Sequence, residues 1–170
     1  NQDINPKWGY FIHGSYSYTP TESYINGNQT ALSGSFYLPG LFSHHSVNLK
    51  SGIEIQETNL TYNIFSSSVA FSRGYNYVLF TQKLKLGGDY SFPVWYPDLN
   101  IGPFVYFKRL TGGLFFDYSM LNTEDFGNNQ IYRSAGAELI FQVYFLRLNE
   151  PVDIGCRVSY LLDPQEGENV

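Results

Sequence analysis

The sequence predicts an all-β protein: an antiparallel, membrane-embedded β-barrel with about eight strands in this chain. Three observations predict it. Helical periodicity is missing almost everywhere, while apolar and polar residues alternate with period two in one segment after another. Only 15% of the 170 residues are charged, against about a quarter in ordinary soluble domains. Aromatic residues make up 18% of the chain, and such rings suit β-sheets and membrane–water interfaces.

Each predicted strand is a segment in which apolar residues recur at every second position between turns rich in Gly, Pro or Asn. Six segments alternate clearly, and they are Trp8–Thr19, His45–Glu57, Lys83–Phe92, Arg109–Ser119, Ser134–Arg147 and Asp153–Leu162. Two more, Thr30–Leu38 and Ser66–Phe71, alternate weakly. All eight are predicted to be antiparallel, and the alternately long and short breaks between them fit a barrel with long loops at one end.

The alternation gives each strand one apolar face and one polar face. In His45–Glu57, for example, Leu49 and Ile53 oppose Lys50 and Glu54. The polar faces of the other strands carry, in chain order, His13, Ser15 and Ser17; Lys83, Lys85, Asp89 and Ser91; Thr111, Gly113 and Asp117; Glu138, Gln142 and Tyr144; and Asp153, Arg157 and Ser159. Cys156 falls on an apolar face, and as the single cysteine it excludes an internal disulfide.

Alternation alone does not decide which face is inside, because a soluble ligand-binding barrel also alternates, with its apolar side inward. Three features favour a membrane barrel over a soluble barrel or sandwich. The polar faces are rich in Gly and Ser, the apolar faces are aliphatic in mid-strand, and aromatic residues gather near strand ends. These aromatic residues form a predicted interfacial girdle, consisting of Trp8, Tyr18, Phe92, Trp95, Tyr96, Tyr106, Tyr118 and Tyr160.

Length and charge set further bounds. The chain is predicted to contain one domain, a barrel or the C-terminal part of one over residues 1–162, followed by a polar tail over 163–170. No apolar run is long enough for a transmembrane helix. A net charge of −5 argues against a nucleic-acid partner. Because there is no initiator Met or signal peptide, we expect a processed or excised piece of a longer protein.

An arginine in a loop is the most informative single residue. Arg73 precedes Gly74 and Tyr75, directly after a predicted strand. If the loop enters a lumen, the guanidinium requires a carboxylate partner. Asp89 and Asp117 face the same side on the next two strands, and Glu138 does so one strand later. Other interpretations remain open: these acids form generic lumen ion pairs, the arginine is solvated, or the group has a direct role in transport or catalysis.

The order of these motifs resembles the BamA-like surface-antigen superfamily of outer-membrane assembly and translocation barrels. The resemblance lies in Arg73-Gly74-Tyr75, Gly88-Asp89-Tyr90-Ser91-Phe92-Pro93 and Leu114-Phe115-Phe116-Asp117. It implies a lumen loop whose arginine reaches Asp89 and Asp117, and a parent barrel of sixteen strands. Two positions depart from the family pattern: Ser72 replaces an aliphatic residue, and Tyr118-Ser119 replaces a glycine.

Two further stretches carry resemblances. Asp3–Gly9 and Phe36–Gly40 are similar to outer-membrane proteins in which a TolB-like periplasmic propeller precedes such a barrel. The last strand, with Gly155, Val158 and Tyr160, resembles the C-terminal targeting strand read by the barrel-assembly machinery.

The expected function is therefore that of a bacterial outer-membrane barrel which anchors a larger protein and acts in protein assembly, translocation or an envelope complex. The expected partners are outer-membrane lipid, the barrel-assembly machinery and other envelope proteins, with no cofactor, no metal and no enzymatic activity. A small structural or transport barrel is one alternative. A lipid-modifying hydrolase at the lumen edge, using His13 and Ser15, is another, although no nucleophile-elbow motif supports it.

Overall fold

The fold is all-β and antiparallel. A computed structural model describes residues 7–19, 27–58, 65–102, 104–122, 129–145 and 150–163. Within those residues there are eight strands, namely β1 (Gly9–Tyr18), β2 (Gly27–Pro39), β3 (Ser46–Thr58), β4 (Gln82–Trp95), β5 (Leu99–Ile101), β6 (Val105–Asn122), β7 (Asn129–Phe145) and β8 (Val152–Leu161). The described part contains no helix that is long and apolar enough to cross a membrane.

All eight strands belong to one sheet of meander topology. Its order is β1-β2-β3-β4-β6-β7-β8, and the short β5 pairs only with the start of β6. The register is continuous in most pairs, with irregularities only where β4 and β6 begin or end. In the described residues the sheet is not closed, so β1 and β8 are its two edges.

Long strands extend beyond most of the predicted bounds. β4 continues through Pro93 to Trp95, although proline cannot donate a ladder hydrogen bond. Pro93 is tolerated because β3 ends opposite Ser91, which leaves β4 with a partner on one side only, and a bulge follows. β6 and β7 each begin several residues before the alternation becomes clear.

The apolar face of the sheet is exposed and the polar face is buried. The apolar face is exposed: Leu49 and Ile53 of β3 are each nearly half exposed, and the same face of the other strands carries exposed Leu32, Phe36, Leu86, Leu114, Phe116, Leu139 and Val158. The polar face holds buried Asn48, Glu54, Gln56, Lys83, Lys85, Asp117, Ser119 and Ser134. Such a distribution is the reverse of that in water-soluble domains.

Residues 65–81, called here the crossing segment, account for the burial of the polar face. This connection between β3 and β4 runs over that face from Gln29 of β2, through Ser119 of β6, to Ser159 of β8. Its apolar side chains form a small core with the sheet. The members of that core are Tyr75, Phe80, Leu121 and Tyr132, with Phe71, Val78 and Leu161 packed against them.

The strand predicted at Ser66–Phe71 is wrong. These residues lie in the crossing segment, where their backbone groups bond to side chains of the sheet and not to a neighbouring strand. The Val69 N–H donates to the Glu54 carboxylate, and Lys85 donates to the Phe71 carbonyl oxygen. Alternation misleads here because the segment also packs one side against the sheet, as a strand would.

Candidate functional site

Arg73 lies at the centre of the polar face, where the crossing segment passes over β4 and β6. Its Nε donates to Asp117 Oδ2 at 2.6 Å, and its Nη2 donates to Asp117 Oδ1 at 3.1 Å. The same Nη2 also contacts Asp89 Oδ1. The Arg73 backbone N–H adds a bond to Asp117 Oδ2 at 3.1 Å. The structure thus brings together three of the residues singled out from the sequence, Arg73, Asp89 and Asp117.

Two lysines extend this group into an alternating row of charges. Lys85 Nζ lies 3.0 Å from Asp117 Oδ1, and Lys50 Nζ lies 2.5 Å from Asp89 Oδ2. Each carboxylate is therefore shared between Arg73 and one lysine. The Asp117 side chain is 2% exposed, so its charge depends on these partners and not on water.

The Arg73 guanidinium is packed as well as paired. Its carbon atom lies 3.8 Å from the centre of the buried Phe115 ring, a cation–π contact. Burial works against the charge, but the hydrogen bonds to Asp117 and Asp89 outweigh it, so the pKa of Arg73 is raised. Arg73 is thus a fixed cation, and its ion pairs with Asp89 of β4 and Asp117 of β6 hold the crossing segment against the sheet.

Gly74 and Tyr75 continue the contact toward the β8 edge. Gly74 has φ of +94°, and a Cβ there would lie 2.9 Å from both Ser159 Cβ and Leu161 Cδ2, so only glycine fits. The buried Tyr75 hydroxyl donates to the Arg133 carbonyl oxygen at 2.7 Å. It also accepts from the Asp163 N–H at 3.0 Å. The three motif residues therefore bind β4, β6, β7 and the end of β8.

The Asp163 carboxylate closes this end of the site. Arg133 donates to it through Nε and Nη2 at 3.1 and 2.8 Å. That hydrogen bond from Arg133 lowers the pKa of the Asp163 carboxyl. Asp163, the first residue of the predicted polar tail, is bound through its side chain and its backbone to β7 and to Tyr75.

Glu138, the third predicted partner of Arg73, lies elsewhere. It is opposite Gly113 of β6, nearer the other end of the strands than Asp117, which is opposite Ser134. Its carboxylate accepts from Arg157 Nε at 2.9 Å across the β7–β8 pair. Alternation correctly predicts the face of the sheet on which Glu138 lies. It does not predict how far along β7 the residue lies from the position opposite Asp117.

Ser72 and Ser119, which depart from the family pattern, lie against each other. Their hydroxyls are 2.8 Å apart, both side chains are buried, and the Ser72 hydroxyl also donates to the Tyr132 carbonyl oxygen at 3.0 Å. This pairing could not be predicted from the sequence, because periodicity does not encode the path of the crossing segment.

The predicted girdle residues divide between the two ends of the strands. Tyr18, Tyr118 and Tyr160 lie toward the end of the sheet where β3 ends and β4 begins, and the other five lie toward the opposite end. Those five are Trp8, Phe92, Trp95, Tyr96 and Tyr106. Trp8, Tyr18, Trp95 and Tyr160 are well exposed.

The residues of the predicted targeting strand lie on the edge strand β8. Val158 and Tyr160 are about 70% exposed on the apolar face. Gly155 lies on the other face, where a Cβ would approach the Leu139 carbonyl oxygen to 2.6 Å. Cys156 is a free, exposed thiol on the apolar face.

His13 and Ser15, the residues considered for hydrolysis, lie on β1, whereas Arg73 contacts β4 and β6. His13 is exposed on β1 opposite Ser33, with its ring stacked parallel to that of Phe11. Among the residues that the structure describes, no group of His, Cys, Asp and Glu could hold a metal ion.

No protein-family model, curated protein or solved structure matches the chain.

Proposed function

We propose that this chain forms part of an outer-membrane β-barrel of the surface-antigen type, with the crossing segment as a fixed plug held by Arg73. The proposal rests on the exposure of the apolar face and the burial of the polar face of the sheet. A broad apolar face is exposed while charged side chains are buried beneath the crossing segment. Lipid on the apolar side and a polar lumen on the other satisfy both faces at once.

The two open edges support a barrel larger than this sheet. Unpaired backbone groups on β1 and β8 would be costly in lipid, so further strands must pair with them or the sheet must close on itself. A barrel of about eight strands has an interior just wide enough for side chains. The crossing segment already occupies the polar face with its backbone, so closure with additional strands is favoured.

A fixed plug in the lumen bears on which function the barrel can have. A segment fixed by paired charges, a buried tyrosine and a glycine-dependent turn obstructs the lumen at rest. This argues against the alternative of a steadily conducting transport barrel. The role that fits is membrane anchor of a larger protein in outer-membrane assembly, translocation or an envelope complex, with lipid, the barrel-assembly machinery and envelope proteins as partners.

Fractionation of native cells, followed by intact mass measurement, tests the proposal. We expect the protein in the outer-membrane fraction, resistant to alkaline extraction, with a mass well above that of this chain. Recovery in a soluble fraction would exclude the membrane role. An outer-membrane protein with the mass of this chain alone would instead favour a small self-closed barrel.

A further inference from the structure

A second buried ion pair lies beneath the crossing segment, separate from the Arg73 group. Glu54 of β3 and Lys83 of β4 are cross-strand neighbours. Their charged atoms, Oε2 and Nζ, are 3.1 Å apart, and both side chains are fully buried. The Phe80 ring covers Lys83 Nζ at 4.4 Å from the ring centre. Charges buried to this degree require a full set of hydrogen-bond partners.

The crossing segment supplies part of that set. The Val69 N–H and the Ser67 hydroxyl donate to Glu54 Oε2 at 2.9 and 2.8 Å. Lys83 Nζ donates to the Val69 carbonyl oxygen at 2.5 Å and contacts the Ser67 hydroxyl. The other oxygen of Glu54 accepts from two buried amides of the sheet, those of Gln29 and Gln56. The pair is thus completed by residues 67–69.

The sheet also leaves space for residues 66–69 of the crossing segment. Val69 packs on Gly52 of β3, where a Cβ would lie 2.6 Å from Val69 Cγ1. Gln29 also donates to the Ser66 carbonyl oxygen at 3.0 Å. The contacts of residues 66–69 are therefore to β2, β3 and Lys83, whereas Arg73 binds acids on β4 and β6.

We propose that Glu54 and Lys83 form a second anchor of the crossing segment, which holds residues 66–69 independently of Arg73. Each anchor receives one backbone N–H from the segment, that of Val69 in one case and that of Arg73 in the other. Loss of Arg73 consequently frees the second half of the segment and leaves the first half in place. The inference concerns the segment itself, so it does not depend on the membrane proposal.

Cysteine accessibility at two buried positions tests this inference. Val69→Cys and Ser72→Cys, each in a Cys156→Ser background, place a thiol under either half of the segment, because both residues are nearly inaccessible. In the purified protein, Glu54→Gln is expected to raise the rate of maleimide labelling at position 69 about tenfold and to leave position 72 nearly unchanged. Arg73→Gln is expected to give the opposite pattern.

One control variant and one further test variant keep the result interpretable. Glu57→Gln changes an exposed carboxylate on the same strand, which bonds only to Asn28 among the contacts described, and should alter neither rate. Ser67→Ala keeps the ion pair but removes a hydroxyl of the segment, and should raise labelling at position 69 alone even if Glu54→Gln fails to fold. Equal acceleration at both positions in Glu54→Gln, Ser67→Ala or Arg73→Gln would overturn the proposal, and so would unchanged labelling at position 69 in Glu54→Gln and Ser67→Ala.

Discussion

At the scale of single residues, Arg73 and Asp117 form the central interaction of the site. Three donor atoms of Arg73 converge on one carboxylate that is almost fully buried. Replacing either partner leaves a buried charge with only one of its two counter-charges, Lys85 for Asp117 or Asp89 for Arg73, and this costs more than the loss of an exposed ion pair.

Arg73→Gln and Asp117→Asn are each expected to lower the free energy of unfolding by about 3 kcal/mol. The double variant should lose at least about 1 kcal/mol less than the sum, because the two side chains interact directly. Denaturant unfolding of the protein in detergent micelles measures these values. Glu138→Gln, which breaks a pair with the half-exposed Arg157, should cost less than about 1 kcal/mol. Additive losses would contradict a direct pairing.

Gly74 makes a second prediction at this scale. Gly74→Ala is expected to destabilise the fold by about 1–2 kcal/mol, since it puts a side chain in a left-handed conformation and against β8. Gly88→Ala is the matched control, because its Cβ would meet only Leu49 at an ordinary 3.7 Å. Thermal unfolding of both variants makes the comparison. Equal losses would show that Gly74 is not conformationally required.

The sequence predicts some of these residues and not others, for a physical reason. Alternation places Asp89 and Asp117 on the polar face, and the resemblance names Arg73 as the cation that reaches them. Lys50 and Lys85 were on that face without an assigned role. Ser72, Ser119 and the Tyr75 hydroxyl depend on the path of the crossing segment, and a path with no regular period leaves no pattern in the sequence.

At the scale of elements, the crossing segment is defined by what lies beneath it. The sheet leaves room for the segment by using small residues, of which Gly52 below Val69 is the clearest. The segment has few backbone hydrogen bonds to strands. Its stability therefore comes from packing, from the Arg73–Asp117 ion pair and from its contacts with the Glu54–Lys83 pair.

Gly52→Ala is therefore expected to lower the free energy of unfolding by about 1–3 kcal/mol through overpacking against Val69. Adding Val69→Ala should recover part of that loss, because it removes the methyl groups that the new Cβ meets. Thermal unfolding of the two single variants and the double variant gives the coupling. Gly14→Ala, whose Cβ would meet nothing closer than 3.8 Å, is the control. If the double variant is no more stable than Gly52→Ala, Val69 does not rest on this glycine.

Seven of the eight predicted strands correspond to strands of the structure, because long antiparallel strands with one buried face keep a strict period of two. Ser66–Phe71 fails because a segment packed on a sheet also buries every second side chain. The short β5 carries no periodicity at three residues, so sequence could not reveal it.

For the whole molecule, the proposed function requires that the apolar face of the sheet lie in lipid. Ile53→Lys is expected to destabilise the protein in vesicles by about 2–4 kcal/mol if this residue lies near the middle of the bilayer. Ser33→Lys, on the polar face of the neighbouring strand, should cost less. Unfolding of both variants from phospholipid vesicles provides the measurement. A neutral or stabilising effect of Ile53→Lys would indicate that its face meets water.

The most direct test is the environment of the two faces, read with nitroxide labels on cysteines at Ile53 and Ser33 in a Cys156→Ser background. The label at Ile53 should relax faster with dissolved oxygen and be shielded from a water-soluble nickel chelate, as expected for a lipid-facing site. The label at Ser33 should not show this oxygen preference. A label at Leu41, in the exposed turn after β2, provides the water-accessible reference. If the nickel chelate reaches Ile53 as readily as it reaches Leu41, the apolar face does not lie in a membrane and the proposed membrane role is wrong.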